Sequence, residues 1–244
     1  MLTVVFLVVV FIVAVLAVAV GPLYVNDRFR DLREPTDAER AQLDEWGTTT
    51  GLDVERVAVV ETTGEASVDV AVRGLPRRRV LFVTDYVLDE MDEETALGLL
   101  AAEAGRVDTY YGEFRAVAVG VVLAMLAAIV TAQVPFDAGF LALIAVGVTA
   151  FWAGRRVQYE ADDRAADAVG ADRVADAFEH VAELRGVEPE TGDWSTWFEV
   201  QPPLGDRIAA LRDRSAREAE AEAAAAAGSD GGSGDADSDT GDDT

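Results

Sequence analysis

Residues Asp92–Asp108, "DEETALGLLAAEAGRVD", form the segment from which the rest of the chain can be interpreted. Asp92 is a favourable N-cap residue, so a helix is expected to begin directly after it. Apolar side chains recur along the segment at spacings of three and four residues: Leu97, Leu100, Ala104 and Val107. This spacing predicts an amphipathic helix whose apolar stripe faces a core, with Ala102, Glu103 and Arg106 on the other side.

Residues Ala102 to Arg106 of this helix align with a known catalytic motif. Zinc peptidases carry H-E-x-x-H on a helix because two histidines four residues apart share a face and can bind one metal ion. The glutamate of that motif serves as the general base. The same frame in this chain reads "AEAGR", in which Glu103 is retained and Ala102 and Arg106 stand in place of both histidines.

Three segments of the chain together resemble one protein family. The first, "VLFVTDYVLDEMDEETALGLLAAEAGR", resembles the strand, turn and active-site helix of the HtpX-like membrane zinc metallopeptidases, which are of the gluzincin type. The second, "RRVQYEADDRAA", is similar to the E-y-x-A-D segment of that family. The third, "QPPLGDRIAALR", resembles H-P-P-x-x-x-R-I-x-x-L. The resemblance spans roughly residues 36 to 212 and implies a degenerate member of the family.

The resemblance also implies roles for single positions. The two histidine ligands of the family fall on Ala102 and Arg106, and its ligating glutamate falls on Gln158. The general-base position falls on Glu103. Two further positions support the site in the family: its aspartate is retained as Asp162, and the histidine of its H-P-P segment is replaced by Gln201. Because every ligand position is substituted, we expect no bound metal and no cofactor, whereas zinc would be the cofactor if the chain were an active family member.

Composition and charge limit the partners, the surroundings and the metal ligands that this chain can have. The 244 residues carry a formal net charge of −25, and all 20 basic residues are arginine. Phosphate binding needs a basic face, so nucleic acid is not expected as a partner. An aspartate-rich, lysine-free composition predicts halophilic adaptation to a cytoplasm of very high salt, where screening removes the cost of self-repulsion. Cysteine is absent, and the single histidine, His180, is expected to lie on a helix surface rather than to bind metal.

Three apolar stretches predict membrane spans: Leu2–Leu23, Ala116–Val134 and Ala138–Ala153. A cleaved signal peptide is the alternative for the first stretch, and a buried pair of soluble helices is the alternative for the other two. Arginines follow the first span and flank the other two, which by the positive-inside rule predicts an outside N-terminus in the cell membrane. The soluble parts would then be cytoplasmic.

These spans divide the chain into five parts. We expect a membrane anchor at residues 1–25, a peptidase-like half at 26–113, a membrane hairpin at 114–154, a helical half at 155–215 and an acidic disordered tail at 216–244. In the first soluble half, a capping box of Thr36 and Glu39 predicts a short helix. The β-rich runs "RVAVVE", "SVDVAVR" and "VLFVT" predict a small antiparallel sheet. The fold class is therefore α+β, with three transmembrane helices and a cytoplasmic metallopeptidase-like domain.

Two functions follow from these observations. The first is a pseudo-peptidase, a polypeptide-binding or regulatory scaffold in membrane-protein quality control. The second is an active zinc endopeptidase, which the resemblance alone implies. The expected partners are the lipid bilayer and, for the first function, unfolded or membrane polypeptides or an active paralogue. For the site itself, Arg106 could bridge Glu103 and Asp162 in an ion cluster that replaces the metal charge, or it could form only an exposed pair with Glu103.

Overall fold

The computed structural model describes residues 2–29, 31–62, 66–184, 186 and 202–230. Within these ranges the helices are α1 Leu2–Phe29, α2 Asp37–Thr50, α3 Asp85–Asp89, α4 Glu93–Asp108, α5 Tyr111–Val130, α6 Phe136–Val169, α7 Ala171–Leu184 and α8 Leu204–Asp230. The strands are β1 Leu32–Arg33, β2 Arg56–Val60, β3 Val70–Leu75 and β4 Arg78–Thr84.

Three helices of the described chain are long and apolar enough to cross a membrane, over Leu2–Pro22, Tyr111–Val130 and Phe136–Val169. They overlap the three predicted spans, but α5 runs from Tyr111 to Val130 rather than over the predicted Ala116–Val134. The last of them, α6, does not end near Ala153 but continues without a break to Val169. At ~1.5 Å per residue this helix is about 50 Å long, so its apolar first half and its charged second half form one continuous rod.

The membrane helices pack through small residues. A Cβ atom added at Gly120 on α5 would lie 2.8 Å from Val15 and 3.0 Å from Phe11, both on α1. Ala116 and Ala128, on the same stripe of α5, are 1% and 6% exposed. Close approach through small side chains is the usual way in which helices associate in a bilayer.

The sheet is mixed rather than antiparallel, which corrects the prediction. Its strand order is β1-β2-β4-β3, and β2 pairs with β4 in parallel while β3 pairs with β4 antiparallel. A tight turn at Arg77, whose φ is 69°, joins β3 directly to β4. The longer connection between β2 and β3 leaves room for β4 between them, and the apolar end of β4 from Leu81 to Thr84 is buried there.

The capping signals that define the helix starts are confirmed. The Thr36 side chain accepts a hydrogen bond from the backbone of Glu39, and the Glu39 side chain accepts one from the backbone of Thr36, so the capping box opens α2. Gly51, in the left-handed conformation with φ 73°, ends that helix. Asp92 caps α4 by accepting a hydrogen bond of 2.9 Å from the backbone of Thr95.

Helix α4 lies at the centre of the soluble part. Residues Thr95 to Gly105 are all buried, on both faces of the helix, because α6, α7 and β3 surround it. Two glycines permit this packing. A Cβ atom at Gly98 would lie 2.6 Å from the Cβ of Ala177 on α7, and one at Gly105 would overlap the carbonyl oxygen of Ala161 on α6.

The predicted disordered tail begins too early. Residues 216–230 continue helix α8, which extends to Asp230, and residues 231–244 lie outside the described residues. An alanine-rich segment has high helix propensity, and Arg214 donates a hydrogen bond of 2.7 Å to Glu218 one turn later. These local terms extend the helix although few apolar contacts hold it.

Candidate functional site

Helices α4 and α6 bring most of the expected site residues together. Ala102, Glu103, Gln158 and Asp162 are 3%, 5%, 1% and 3% exposed. Arg106 lies one turn beyond Ala102 on α4, and its side chain is 28% exposed. The two helices can approach so closely here because Gly105 has no side chain; a Cβ atom there would overlap the backbone of Ala161 on α6. Gln201 lies outside the described residues.

Both carboxylate oxygens of Glu103 are engaged. Arg106 Nη1 donates a short hydrogen bond to Oε1, and the backbone N–H of Val72 on β3 donates one of 3.2 Å to Oε2. A general base must instead present a free oxygen to a water molecule within hydrogen-bond reach. Glu103 therefore acts here as a contact between α4, Arg106 and the sheet.

Asp162 has a different partner from the one expected. Arg207, on α8, binds it in bidentate fashion, with Nε 2.7 Å from Oδ2 and Nη2 2.6 Å from Oδ1. Gln158 Nε2 adds a hydrogen bond of 3.3 Å to the same carboxylate. The guanidinium of Arg207 also lies 4.3 Å from the centre of the Phe178 ring. Asp162 and Arg207 thus form a buried pair that joins α6 to α8.

The ion-cluster hypothesis is corrected by this arrangement. Within the described part of the chain, Arg106 forms no hydrogen bond to Asp162, since Arg207 occupies that carboxylate. The exposed-pair alternative is also wrong, because the Glu103 side chain is only 6% exposed. Each carboxylate has its own arginine. Arg207 was missed although it stands at the arginine of the R-I pair in the third resembling segment, and this is the signal that could have identified it.

The electrostatic surroundings keep Arg106 charged. Burial is the largest influence and tends to lower the pKa of Arg106. The nearby carboxylates of Glu103 and Asp162 act in the opposite direction and prevail, so that the pKa of Arg106 is raised above its usual value. A permanent guanidinium charge therefore stands at a position where the resembling family has a metal ligand.

The residues present do not fit a zinc ion. Among the described residues no group of three or more histidine, cysteine, aspartate or glutamate side chains is placed to hold a metal. Ala102 has no donor atom, and Arg106 is cationic and would repel a metal ion. The Oε1 atom of Gln158 is buried without a hydrogen-bond partner in the described structure, but an amide oxygen alone is a poor zinc ligand.

A cleft remains beside this site. It has a volume of about 420 Å³ and lies between β3, α4, α7 and the start of α8. Its wall includes Arg73, Glu103, Arg106 and Arg207, and Pro202 and Pro203 of the third resembling segment also contact it. The cleft can therefore receive a ligand or a chain segment, although the described residues offer no set of side chains to hold a metal ion beside it.

Apolar helices, a mixed sheet and this cleft make up the described fold. A solved example with a similar structure is the crystal structure of S. mikatae Ste24p, which matches this chain with a TM-score of 0.61 at 16% sequence identity. The match covers 86% of this chain and 58% of the Ste24p chain. This chain therefore spans little more than half the length of that structure. No protein-family model and no curated protein matches the sequence.

Proposed function

We propose that this chain is a pseudo-peptidase, a degenerate relative of the HtpX-like zinc metallopeptidases that has kept the fold and lost metal-dependent hydrolysis. Its role would be that of a polypeptide-binding or regulatory scaffold in membrane-protein quality control. The observation that carries the proposal is the hydrogen bond from Arg106, at a former ligand position, to Glu103, at the general-base position. The guanidinium of Arg106 occupies the position beside Glu103 that a metal-bound water would need.

The chemistry of peptide hydrolysis supports inactivity. In metallopeptidases the metal lowers the pKa of its bound water from ~15.7 to about 7 and polarises the substrate carbonyl. Without a ligand set neither effect is available. The buried carboxylates of Glu103 and Asp162 are both neutralised by arginine, so neither supplies a base for another hydrolytic route.

Metal content and activity of the purified chain at high salt test this proposal. We expect no zinc above background by elemental analysis and no cleavage of an unfolded protein substrate. A variant that restores the ligand types, Ala102→His with Arg106→His and Gln158→Glu, serves as the positive control and should bind zinc if the site geometry is retained. Stoichiometric zinc and chelator-sensitive cleavage in the natural chain would instead establish the active endopeptidase.

The resemblance implies that an extended substrate would pair with the outer edge of β3, since strand addition needs only backbone groups. The Thr84 N–H donates a hydrogen bond of 3.1 Å to the Asp69 carbonyl, so the backbone of Asp69 faces β4. Backbone groups of successive residues on a strand point to opposite sides, and the N–H and carbonyl of Val72, three residues later, therefore point away from β4. In this chain those groups are engaged internally. Glu103 accepts from the Val72 N–H, and Arg73 Nη1 donates to the Val72 carbonyl over 3.0 Å. An incoming strand must displace these contacts or pair beside them.

Polypeptide binding can be tested through this edge. We expect Arg73→Ala to strengthen the binding of a fluorescent unfolded polypeptide, because it frees the Val72 carbonyl. Arg56→Ala is the matched control, since Arg56 is also an exposed strand arginine but lies on β2. Equal affinities in both variants would exclude this edge, and no binding by any form would remove the polypeptide-binding role.

The compartment is part of the same proposal. Arg28, Arg30 and Arg33 follow the first span, and Arg115 and Arg155 flank the hairpin. This distribution favours a cell-membrane protein with its N-terminus outside and its peptidase-like part in the cytoplasm. The acidic, lysine-free composition favours a cytoplasm of high salt. Unfolded or membrane polypeptides and an active paralogue are the partners that this location would offer.

A further inference from the structure

An apolar groove lies between the two membrane helices α5 and α6. Its volume is about 570 Å³, within the range of about 300 to 1,000 Å³ usual for ligand sites. Phe114, Val122, Leu123 and Phe151 contribute to its wall, and Gly147 forms part of its floor. A Cβ atom at Gly147 would meet nothing within 4 Å, so the groove is open at this point.

One end of the groove is basic. Arg115 lines both the groove and a second cavity, of about 190 Å³, at the junction of α1, β3, α4 and α5. That second cavity is bordered by four arginines and two glutamates: Arg73, Arg79, Arg106, Arg115, Glu103 and Glu113. The apolar groove thus opens next to a concentration of positive charge, in a chain whose net charge is −25.

The ion pairs leave part of this charge uncompensated. Arg79 pairs with Glu113 at 2.8 Å, and Arg106 pairs with Glu103. Within the described residues Arg115 has neither an ion pair nor a hydrogen bond, and Arg73 bonds only to a backbone carbonyl. Two positive charges therefore border the cavity without a carboxylate partner.

Two buried polar atoms line the same surfaces. The hydroxyl of Tyr111, a residue only 6% exposed at the groove, has no hydrogen-bond partner in the described part of the structure. The same holds for Nε of Arg106 at the second cavity. Buried donors of this kind usually bind a partner, and an anionic oxygen would suit both the guanidinium and the hydroxyl.

We propose that the groove and the basic cavity form one binding site for an anionic phospholipid of the surrounding bilayer. An acyl chain would lie between α5 and α6, and the phosphate would contact Arg115 and the cavity beyond it. The apolar groove favours a lipid over a soluble anion, and the unpaired arginines favour an anionic over a zwitterionic headgroup. The groove lies apart from the proposed polypeptide-binding edge, whereas the basic cavity borders that edge at Val72 and Arg73. The lipid site does not depend on whether the chain hydrolyses peptides.

Lipid binding by the purified full-length chain in nonionic detergent tests the proposal. The probes are fluorescent phosphatidylglycerol, phosphatidylcholine with the same acyl chains, and inorganic phosphate as a competitor. We expect tighter binding of phosphatidylglycerol than of phosphatidylcholine and no displacement by phosphate. Arg115→Ala should weaken phosphatidylglycerol binding about fivefold, as expected for the loss of one arginine near a lipid headgroup.

Matched variants separate this site from general membrane affinity. Arg156 is exposed, follows the apolar half of α6 and lines neither cavity, so Arg156→Ala should bind as the natural chain does. Gly147→Leu should fill the groove and abolish binding of both lipids. Gly21→Leu, in α1, places the same side chain where a Cβ atom also meets nothing within 4 Å, and it should have no effect.

The result that would overturn the site is equal binding by the Gly147→Leu and Gly21→Leu variants, with thermal unfolding showing that both are folded. Displacement by phosphate would overturn the lipid and identify a soluble-anion site. Equal affinity for the two lipids, or equal effects of Arg115→Ala and Arg156→Ala, would overturn the headgroup contact.

Discussion

The Oε2 atom of Glu103 accepts a hydrogen bond of 3.2 Å from the backbone N–H of Val72. This contact joins the central helix α4 to the outer strand β3 across 31 residues of sequence. The side chain that the resemblance assigns to the general-base position thus holds two elements together, and Arg106 neutralises it. The following predictions start from this contact.

Loss of the Glu103 carboxylate should destabilise the protein. Glu103→Ala leaves the Arg106 guanidinium without its carboxylate and the Val72 N–H without its acceptor, so we expect a loss of about 1–3 kcal/mol in the free energy of unfolding. Chemical denaturation in detergent measures it. Glu160→Ala is the control, because Glu160 forms an exposed pair with Arg164 at 3.4 Å and should cost about 0.5 kcal/mol or less. Equal effects in both variants would contradict a structural role for Glu103.

The pair of Asp162 and Arg207 should matter more. Their side chains are 5% and 6% exposed, and Arg207→Ala would leave an uncompensated buried carboxylate. We expect a loss of about 3–5 kcal/mol or a failure to fold. Arg217→Ala, on the same helix, should change stability by no more than about 0.5 kcal/mol, because Arg217 is exposed and, among the described residues, donates a hydrogen bond only to the Asp213 carbonyl. A loss below about 1 kcal/mol for Arg207→Ala would show that the pair contributes little.

The close contact of α4 with α6 should not tolerate a larger residue. Gly105→Ala would place a methyl group against the carbonyl of Ala161, and the helices would have to separate at the site. We expect a loss of about 1–3 kcal/mol, although alanine is the better helix former. Gly112→Ala is the control, since a Cβ atom there meets nothing within 4 Å. A stabilised Gly105→Ala variant would mean that α4 and α6 lie further apart.

Acid should remove the contribution of Glu39. The hydrogen bond from Arg33 is the main reason why the pKa of Glu39 falls from 4.5 to about 2. A lowered pKa stabilises the folded state above pH ~4.5, and this contribution is lost as the pH falls from ~4.5 towards ~2. Because Arg33 is partly exposed, we expect Glu39→Gln to cost only about 1–2 kcal/mol at pH 7 and progressively less below pH ~4.5. Thermal unfolding from pH 7 to pH 3 measures the difference in stability between the natural chain and Glu39→Gln. Glu45→Gln is the control, because Glu45 is exposed on the same helix. A stability difference that does not change with pH would contradict the ion pair.

The orientation in the membrane can be measured directly because the chain contains no cysteine. Asp137, in the first turn of α6, and Asp44, on α2, are both exposed in the fold. A cysteine at position 137 should react with an impermeant thiol reagent in intact cells, and one at position 44 should react only after lysis. The reverse pattern would overturn the orientation inferred from the arginines.

Many local features could be predicted from the sequence. The membrane helices follow from uninterrupted apolar runs, and the starts of α2 and α4 follow from Thr36, Glu39 and Asp92. A membrane helix is specified by a run of about 20 consecutive residues, and a helix cap by residues no more than about four positions apart. Both signals are therefore contained in a continuous stretch of sequence. The resemblance that assigns Ala102, Arg106 and Gln158 to the ligand positions of a family likewise rests on the sequence alone.

The tertiary structure decided which arginine pairs with Asp162. Asp162 lies within reach of both α4 and α8, and packing rather than sequence spacing gives it to Arg207, 45 residues away, instead of Arg106. The parallel pairing of β2 with β4 likewise depends on which strand occupies the buried centre of the sheet. Local propensity cannot select among such distant partners, because their contact energies appear only once the helices and the sheet have packed together.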